Sequence, residues 1–256
     1  MTTHSHLQQA LTREALAVFC SATALTRLCL SPEAQLSGIE SGDHAPTGAP
    51  NTAALGGGSV ELPRVPDSAA CRAAYEVAGD YCSPALLNHS VRSYLWAASL
   101  AAIGGIVFDA ELLYVAAILH DLGLVAEFDN HTLPFEFAGG HVSSIFAAGA
   151  GWPRPRRQRV AEVIVAHMAD TVDLSQDPEG FLLERSTGFD ISGRGSEEFP
   201  DLLQTAVMAH YPRLNLAEEF LACFRDQADR KPSSQAAAAV RSGIADRMAA
   251  NPLEHR

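Results

Sequence analysis

Residues 109–124 read "DAELLYVAAILHDLGL", and the apolar side chains of this stretch surround a helical axis almost completely. A helix that is apolar on every side has no face to offer water, so other elements must enclose it. Asp109 supplies an N-cap, and His120-Asp121 closes the helix. The chain therefore carries an imidazole and a carboxylate into its interior. A buried carboxylate is costly unless a cation or a metal neutralises it, and no lysine or arginine stands near Asp121 in sequence. A metal would supply the missing positive charge.

The flanking segments also read as helices. Asp67 can cap a helix running through Tyr81, and Ser83-Pro84 is a good start for the next, because a side-chain oxygen satisfies free amides and proline tolerates the first helical position. In that second helix His89, Ser93, Trp96, Leu100 and Ile103 recur at helical spacing and share the core-facing stripe. Residues 126–134 read as a loop, and "PFEFAGGHVSSIFAAGAG" leads into a further helix. Pro153 or Pro155 opens another, whose Val160, Val163, Ile164 and His167 share a face. "FLLERST" predicts a short helix, and "GFDISGRGSEEF" a loop holding Asp190 between Phe189 and Ile191. The last third predicts two amphipathic surface helices without chemistry. Composition agrees: 47% apolar, 7% aromatic, rich in alanine and without a clear strand pattern. The expectation is an all-α bundle.

Residues 37–59 concentrate glycine, proline, serine and threonine and cannot offset the entropy of ordering. They divide the chain into a helical N-terminal arm (1–36), a flexible linker (37–61) and a helical domain (62–256). The apolar run "ALAVFCSATALTRLCL" is interrupted by Arg27, follows no basic segment and is too short to span a bilayer, so it reads as a helix of the arm. A net charge of −12 disfavours nucleic acid and anionic membranes as partners. The basic run "RPRRQR" reads as a solvated helix start. Five scattered cysteines without a CxxC pair support neither a disulfide framework nor a thiolate zinc site, and a reducing cytoplasm fits them.

His89, His120, Asp121, His167 and Asp190 thus fall on apolar faces or in apolar surroundings. Polar groups of this type on separate helices suit a site between bundle helices, and neutral imidazole with carboxylate suits zinc, iron or manganese. The order histidine, His-Asp, distant aspartate resembles the HD-domain superfamily of metal-dependent hydrolases. The strings "LPRVPDSAACRAAYEV", "SPALLNHSVRSYLWA", "FDAELLYVAAILHDLGL" and "FEFAGG" resemble its cyanamide hydratase-like branch, over about residues 62–231.

The resemblance implies an HD-type helical bundle holding one divalent ion, zinc in characterised relatives, through His89, His120, Asp121 and Asp190. It implies water brought to a pKa of roughly 7 and added to a small neutral nitrile, cyanamide giving urea. Glu136, surrounded by "PFEF", is the first candidate to relay the proton, the bland alternative being a capping or ion-paired glutamate. Asn88 either orients the substrate or caps a helix. Three roles stay open for His167: an acid beside the ligands, a ligand, or a core histidine.

His141 raises a second possibility. His89, His120-Asp121, His141, His167 and Asp190 match the ligand order of dinuclear HD proteins, phosphodiesterases and diiron oxygenases among them, in which two ions act together. A phosphohydrolase would want positive charge for its substrate, and near the motifs the sequence offers only Arg92 and the 154–159 run. Another class is a non-catalytic, metal-stabilised binding module that reaches a partner through the arm. His131 lies in a loop that could border the entrance. The alanine-rich terminal helices could pair with a second copy of the chain or pack on their own body.

Overall fold

A computed structural model describes residues 60–256; the predicted arm (1–36) and nearly all of the predicted linker (37–61) lie outside the described residues. Ten α-helices and no strands occur among the described residues. Helix α1 spans Ala69–Tyr81, α2 Pro84–Gly104, α3 Ala110–Leu119, α4 Phe135–Gly149, α5 Arg154–Ala166 and α6 Pro178–Ser192. Helices α7 (Asp201–His210), α8 (Leu216–Arg230), α9 (Gln235–Arg241) and α10 (Ile244–Ala249) complete the set. No described helix is long and apolar enough to cross a membrane.

The helix that is apolar on every side is central. Every residue of α3 from Leu112 to Leu119 is buried, and α1, α2, α4, α5 and α6 all pack against it. Five neighbours explain why its sequence shows no polar face. Its start is fixed by Asp109, whose Oδ1 accepts from the Leu112 amide at 3.0 Å. Ser83 caps α2 in the same way, accepting from the Leu86 amide at 3.1 Å. At α1 the cap is Ser68, accepting from Cys71, while Asp67 pairs with Arg72 instead.

Where α3 ends, the chain turns through a single 3-10 turn, Leu122–Leu124, and α4 passes very close behind it. A Cβ on Gly123 would overlap the Phe135 carbonyl, and one on Gly139 would stand 2.8 Å from the His120 carbonyl oxygen. These two glycines let α4 lie directly against the backbone that carries His120 and Asp121. The loop over residues 126–134 is held to the end of α8, where Gln227 donates to Asp129 at 2.8 Å and the buried Lys231 ammonium stands 3.1 Å from it.

Three further sequence expectations change. Asp190 lies inside α6, because the helix runs unbroken through Gly188; the Arg194 guanidinium occupies the space that a side chain there would fill. Ile103 of the predicted core stripe is 59% exposed at the end of α2. The "RPRRQR" start of α5 is only partly solvated, since Arg156 pairs with Asp109 and Glu111 and Arg159 with Asp177 and Glu179.

The C-terminal helices also do more than cover a surface. Leu216, Phe220, Phe224, Ala236, Ile244 and Met248 join Leu86, Leu124, Phe135 and Ile191 in a second apolar cluster beside the one built around α3. Ile191, Phe220, Phe224 and Ile244 of that cluster line the site.

Candidate metal centre

Three helix positions bring their side chains to one point. His89 comes from the first half of α2, and His120 and Asp121 from the end of α3, all fully buried. The two Nε2 atoms lie 3.2 Å apart. Asp121 Oδ2 is 3.4 Å from His89 Nε2 and 3.1 Å from His120 Nε2.

The opposite edges of the rings fix what these atoms are. His89 Nδ1 donates to Asp190 Oδ2 at 2.7 Å, and His120 Nδ1 donates to the Ala117 carbonyl at 2.8 Å. A neutral imidazole that donates through Nδ1 carries a lone pair at Nε2. With both rings neutral, two lone pairs and a carboxylate oxygen therefore face one another at the buried end of the cavity. Neither Asp121 oxygen has a hydrogen-bond partner. Such a convergence is repulsive unless a cation occupies it, and two imidazole nitrogens with one carboxylate suit a divalent transition ion. The three residues fit the group that the sequence implies.

His167, at the end of α5, stands beside the triple. Its Nδ1 donates to the Ile164 carbonyl, which leaves the Nε2 lone pair 3.9 Å from Asp121 Oδ1. Burial, and then the neighbouring His120, depress its pKa to about 3, so the ring is neutral. At His89 burial acts in the same direction, but the Asp121 and Asp190 carboxylates outweigh it and the pKa is raised.

Asp190, expected as a ligand, is held elsewhere. It lies behind the His89 ring, and its oxygens are taken by other donors: Arg92 Nε and Nη2 each at 2.8 Å, Trp96 Nε1 at 2.8 Å and His89 Nδ1. The Arg213 side chain and Asn251 bind its backbone carbonyl. Burial opposes ionisation, but the fully buried Arg92 guanidinium holds the carboxyl well below its usual range. Asp190 thus orients His89 and makes it a stronger donor to a metal, as a carboxylate behind a ligating histidine does.

Of the remaining expectations, His141 is exposed on α4, on the arc opposite the buried Gly139, Gly140, Ser143 and Ala147. The six-residue dinuclear series is therefore not gathered. Glu136 is buried with one oxygen unpartnered, and burial raises its pKa as "PFEF" predicts. It does not line the cavity onto which the triple opens. Asn88 donates to the Pro212 carbonyl at 2.9 Å, tying α2 to the loop before α8, and also lies off the cavity. His131 is exposed in its loop.

The cavity has a volume of about 720 Å³, and His89, His120, Asp121 and His167 form part of its wall. Phe220 and Phe224 of α8 line it too, as do Arg194 and Arg247, none of which sequence reasoning singled out. The phenyl pair was visible only as an ordinary apolar stripe at a four-residue interval. Arg194 is paired with Glu184, and Arg92, which the sequence offered as a free charge near the motifs, is spent on Asp190.

The HD domain family model matches residues 86–186. These residues are an HD domain. The matched span includes His89, His120, Asp121 and His167, and ends at Ser186, short of Asp190. HD domain proteins bind divalent metals, which agrees with the donor set above. Beyond the domain itself, the chain is similar to the cyanamide hydratases DDI2 and DDI3 of Saccharomyces cerevisiae, 26% identical to each over 172 residues, or 66% of this chain and 75% of theirs. The HD domain and these distant relatives support a metal-dependent hydrolase or hydratase.

Proposed function

We propose that the chain adds water across the carbon–nitrogen triple bond of a neutral nitrile, with cyanamide, which gives urea, as the simplest substrate. The observation that carries the reading is the donor-free convergence of His89 Nε2, His120 Nε2 and the unpartnered Asp121 carboxylate at the wall of an open cavity. A site that served only to hold the bundle together would be closed by protein ligands. The identity of the two hydratase relatives adds the reaction class.

When bound, a divalent ion, zinc by analogy with the resemblance, supplies the positive charge that lets water ionise near neutral pH. The protein's own residues do the rest. Asp190 and the Ala117 carbonyl keep His89 and His120 in the tautomer that presents Nε2 to the ion. His167, neutral and part of the cavity wall, offers its Nε2 lone pair as a hydrogen-bond acceptor that aims the attacking water at the nitrile carbon. The new bond joins the water oxygen to the nitrile carbon, both water protons end on nitrogen, and the product is an amide. Nothing leaves. Glu136, without access to the cavity, takes no part.

Arg194 and Arg247 favour a second reading, a phosphoester hydrolase, because they bring positive charge to the cavity. Arg194 is neutralised by Glu184, however, which leaves a single exposed arginine. Urea release from cyanamide by the metal-loaded full chain, with and without chelator, tests the proposal. Chelator-sensitive urea is expected; phosphoester turnover without nitrile hydration would replace the first reading by the second.

A further inference from the structure

The cavity is far too large for cyanamide. Three non-hydrogen atoms fill on the order of 90 Å³ at the volume that water takes in the liquid. The cavity holds about 720 Å³. Sites of this size ordinarily bury most of a drug-sized ligand.

The surroundings of the metal triple say what the extra space suits. The Phe220 ring lies 5.9 Å from the His89 ring, and the Phe224 ring is tilted against Phe220 with centroids 4.4 Å apart. Ile191, Ala238, Ala239 and Ile244 continue the wall. Phe220 and Phe224 are largely buried by their own cluster, at 5% and 3% exposure, so a bound body meets only the part of them that faces the cavity. An aryl or branched alkyl body would cover them, and edge-to-face contact with a phenyl ring adds to the gain from burial.

We infer that the substrate of this site is a nitrile carrying a bulky apolar body, aryl or branched alkyl, which packs against Phe220 and Phe224 while its nitrile carbon meets the His89, His120 and Asp121 cluster. The inference rests on the hydratase reading for its reacting group, and on the cavity alone for its body. The reaction is unchanged: water's oxygen bonds to the nitrile carbon, both protons go to nitrogen, and an aryl nitrile yields the aryl carboxamide.

The test uses the metal-loaded full chain with benzonitrile and cyanamide as hydration probes, and benzamide as a binding probe followed by calorimetry. We expect kcat/KM for benzonitrile to exceed that for cyanamide by about tenfold, the gain expected of a stacked ring. Ala239→Phe, which fills the cavity without removing core contacts, should weaken benzamide by about tenfold through overpacking. Phe220→Leu should weaken it in the same direction while keeping the wall apolar. Hydration of cyanamide with neither turnover of benzonitrile nor binding of benzamide would overturn the inference and leave the hydratase reading standing. Benzamide binding that Ala239→Phe weakens, with no nitrile hydrated, would support the apolar ligand class and refute hydration. Benzamide binding that Ala239→Phe leaves unaltered would place the ligand outside this cavity and overturn the inference.

Discussion

Replacing Arg92 by methionine removes the guanidinium but keeps most of the stem that packs within α2. The wild-type group is fully buried and makes two 2.8 Å bonds to the Asp190 carboxylate. It also donates to the Tyr211 and Pro212 carbonyls at 3.1 and 3.2 Å. Breaking a buried ion pair from one side costs about 3–5 kcal/mol, because the other charge stays buried. Arg213 remains 3.6 Å from Asp190 Oδ2, and His89 and Trp96 still donate, so the loss belongs at the lower end, about 3 kcal/mol. For a domain of this size that is a fall in Tm of roughly 6–12 °C. Urea unfolding followed by circular dichroism gives the free energy, and a thermal scan gives the temperature. Asp190→Asn alone should also destabilise the fold, whereas the double variant should lose less than the sum of the two. A loss below about 1 kcal/mol in Arg92→Met, or strict additivity, would refute the claim that this pair anchors His89.

Gly123→Ala should destabilise the fold by about 1–3 kcal/mol, because the added methyl meets the Phe135 carbonyl and pushes α4 off the turn after α3, and should weaken metal binding as well; unchanged urea midpoint and metal affinity would contradict the close approach. Asp129 has its pKa lowered: burial opposes this, but Gln227 and Lys231 prevail. A depressed carboxylate contributes stability that is present above its unfolded pKa of about 3.9 and lost as pH falls through the folded value. Asp129→Asn should therefore destabilise the protein at pH 6 and converge on the parent in acid. A difference between the two that stays constant from pH 6 down to pH 2 would exclude the effect. Ser83→Ala should cost about 1 kcal/mol through the lost cap of α2, read from the urea midpoint.

The architecture was legible because its signals are local. An all-round apolar α3 announces a central helix, Ser83-Pro84 and Asp109 announce starts, and a histidine on an apolar stripe announces an inward imidazole. On that basis His89, His120 and Asp121 could be placed in the interior, and the resemblance to the HD superfamily implied that they share an ion. Asp190 could not be placed, because sequence order says nothing about which side of the His89 ring a carboxylate approaches, and the glycines of "GFDISGRGSEEF" read as a loop although α6 runs through Ser192. His141 and Glu136 illustrate helical phase: on the same helix one faces outward, and the other is buried away from the cavity. The cavity wall was least legible. Phe220, Phe224 and the alanines of α9 come from a segment whose pattern matches any amphipathic packing face, and only tertiary contact brings it to the histidines.

Metal stoichiometry tests the central claim most directly. Elemental analysis of the purified full chain, its His120→Ala variant and its His141→Ala variant should give one divalent ion per chain in the parent and in His141→Ala, and essentially none in His120→Ala. Two ions in the parent, or full occupancy in His120→Ala, would contradict the single centre built from His89, His120 and Asp121.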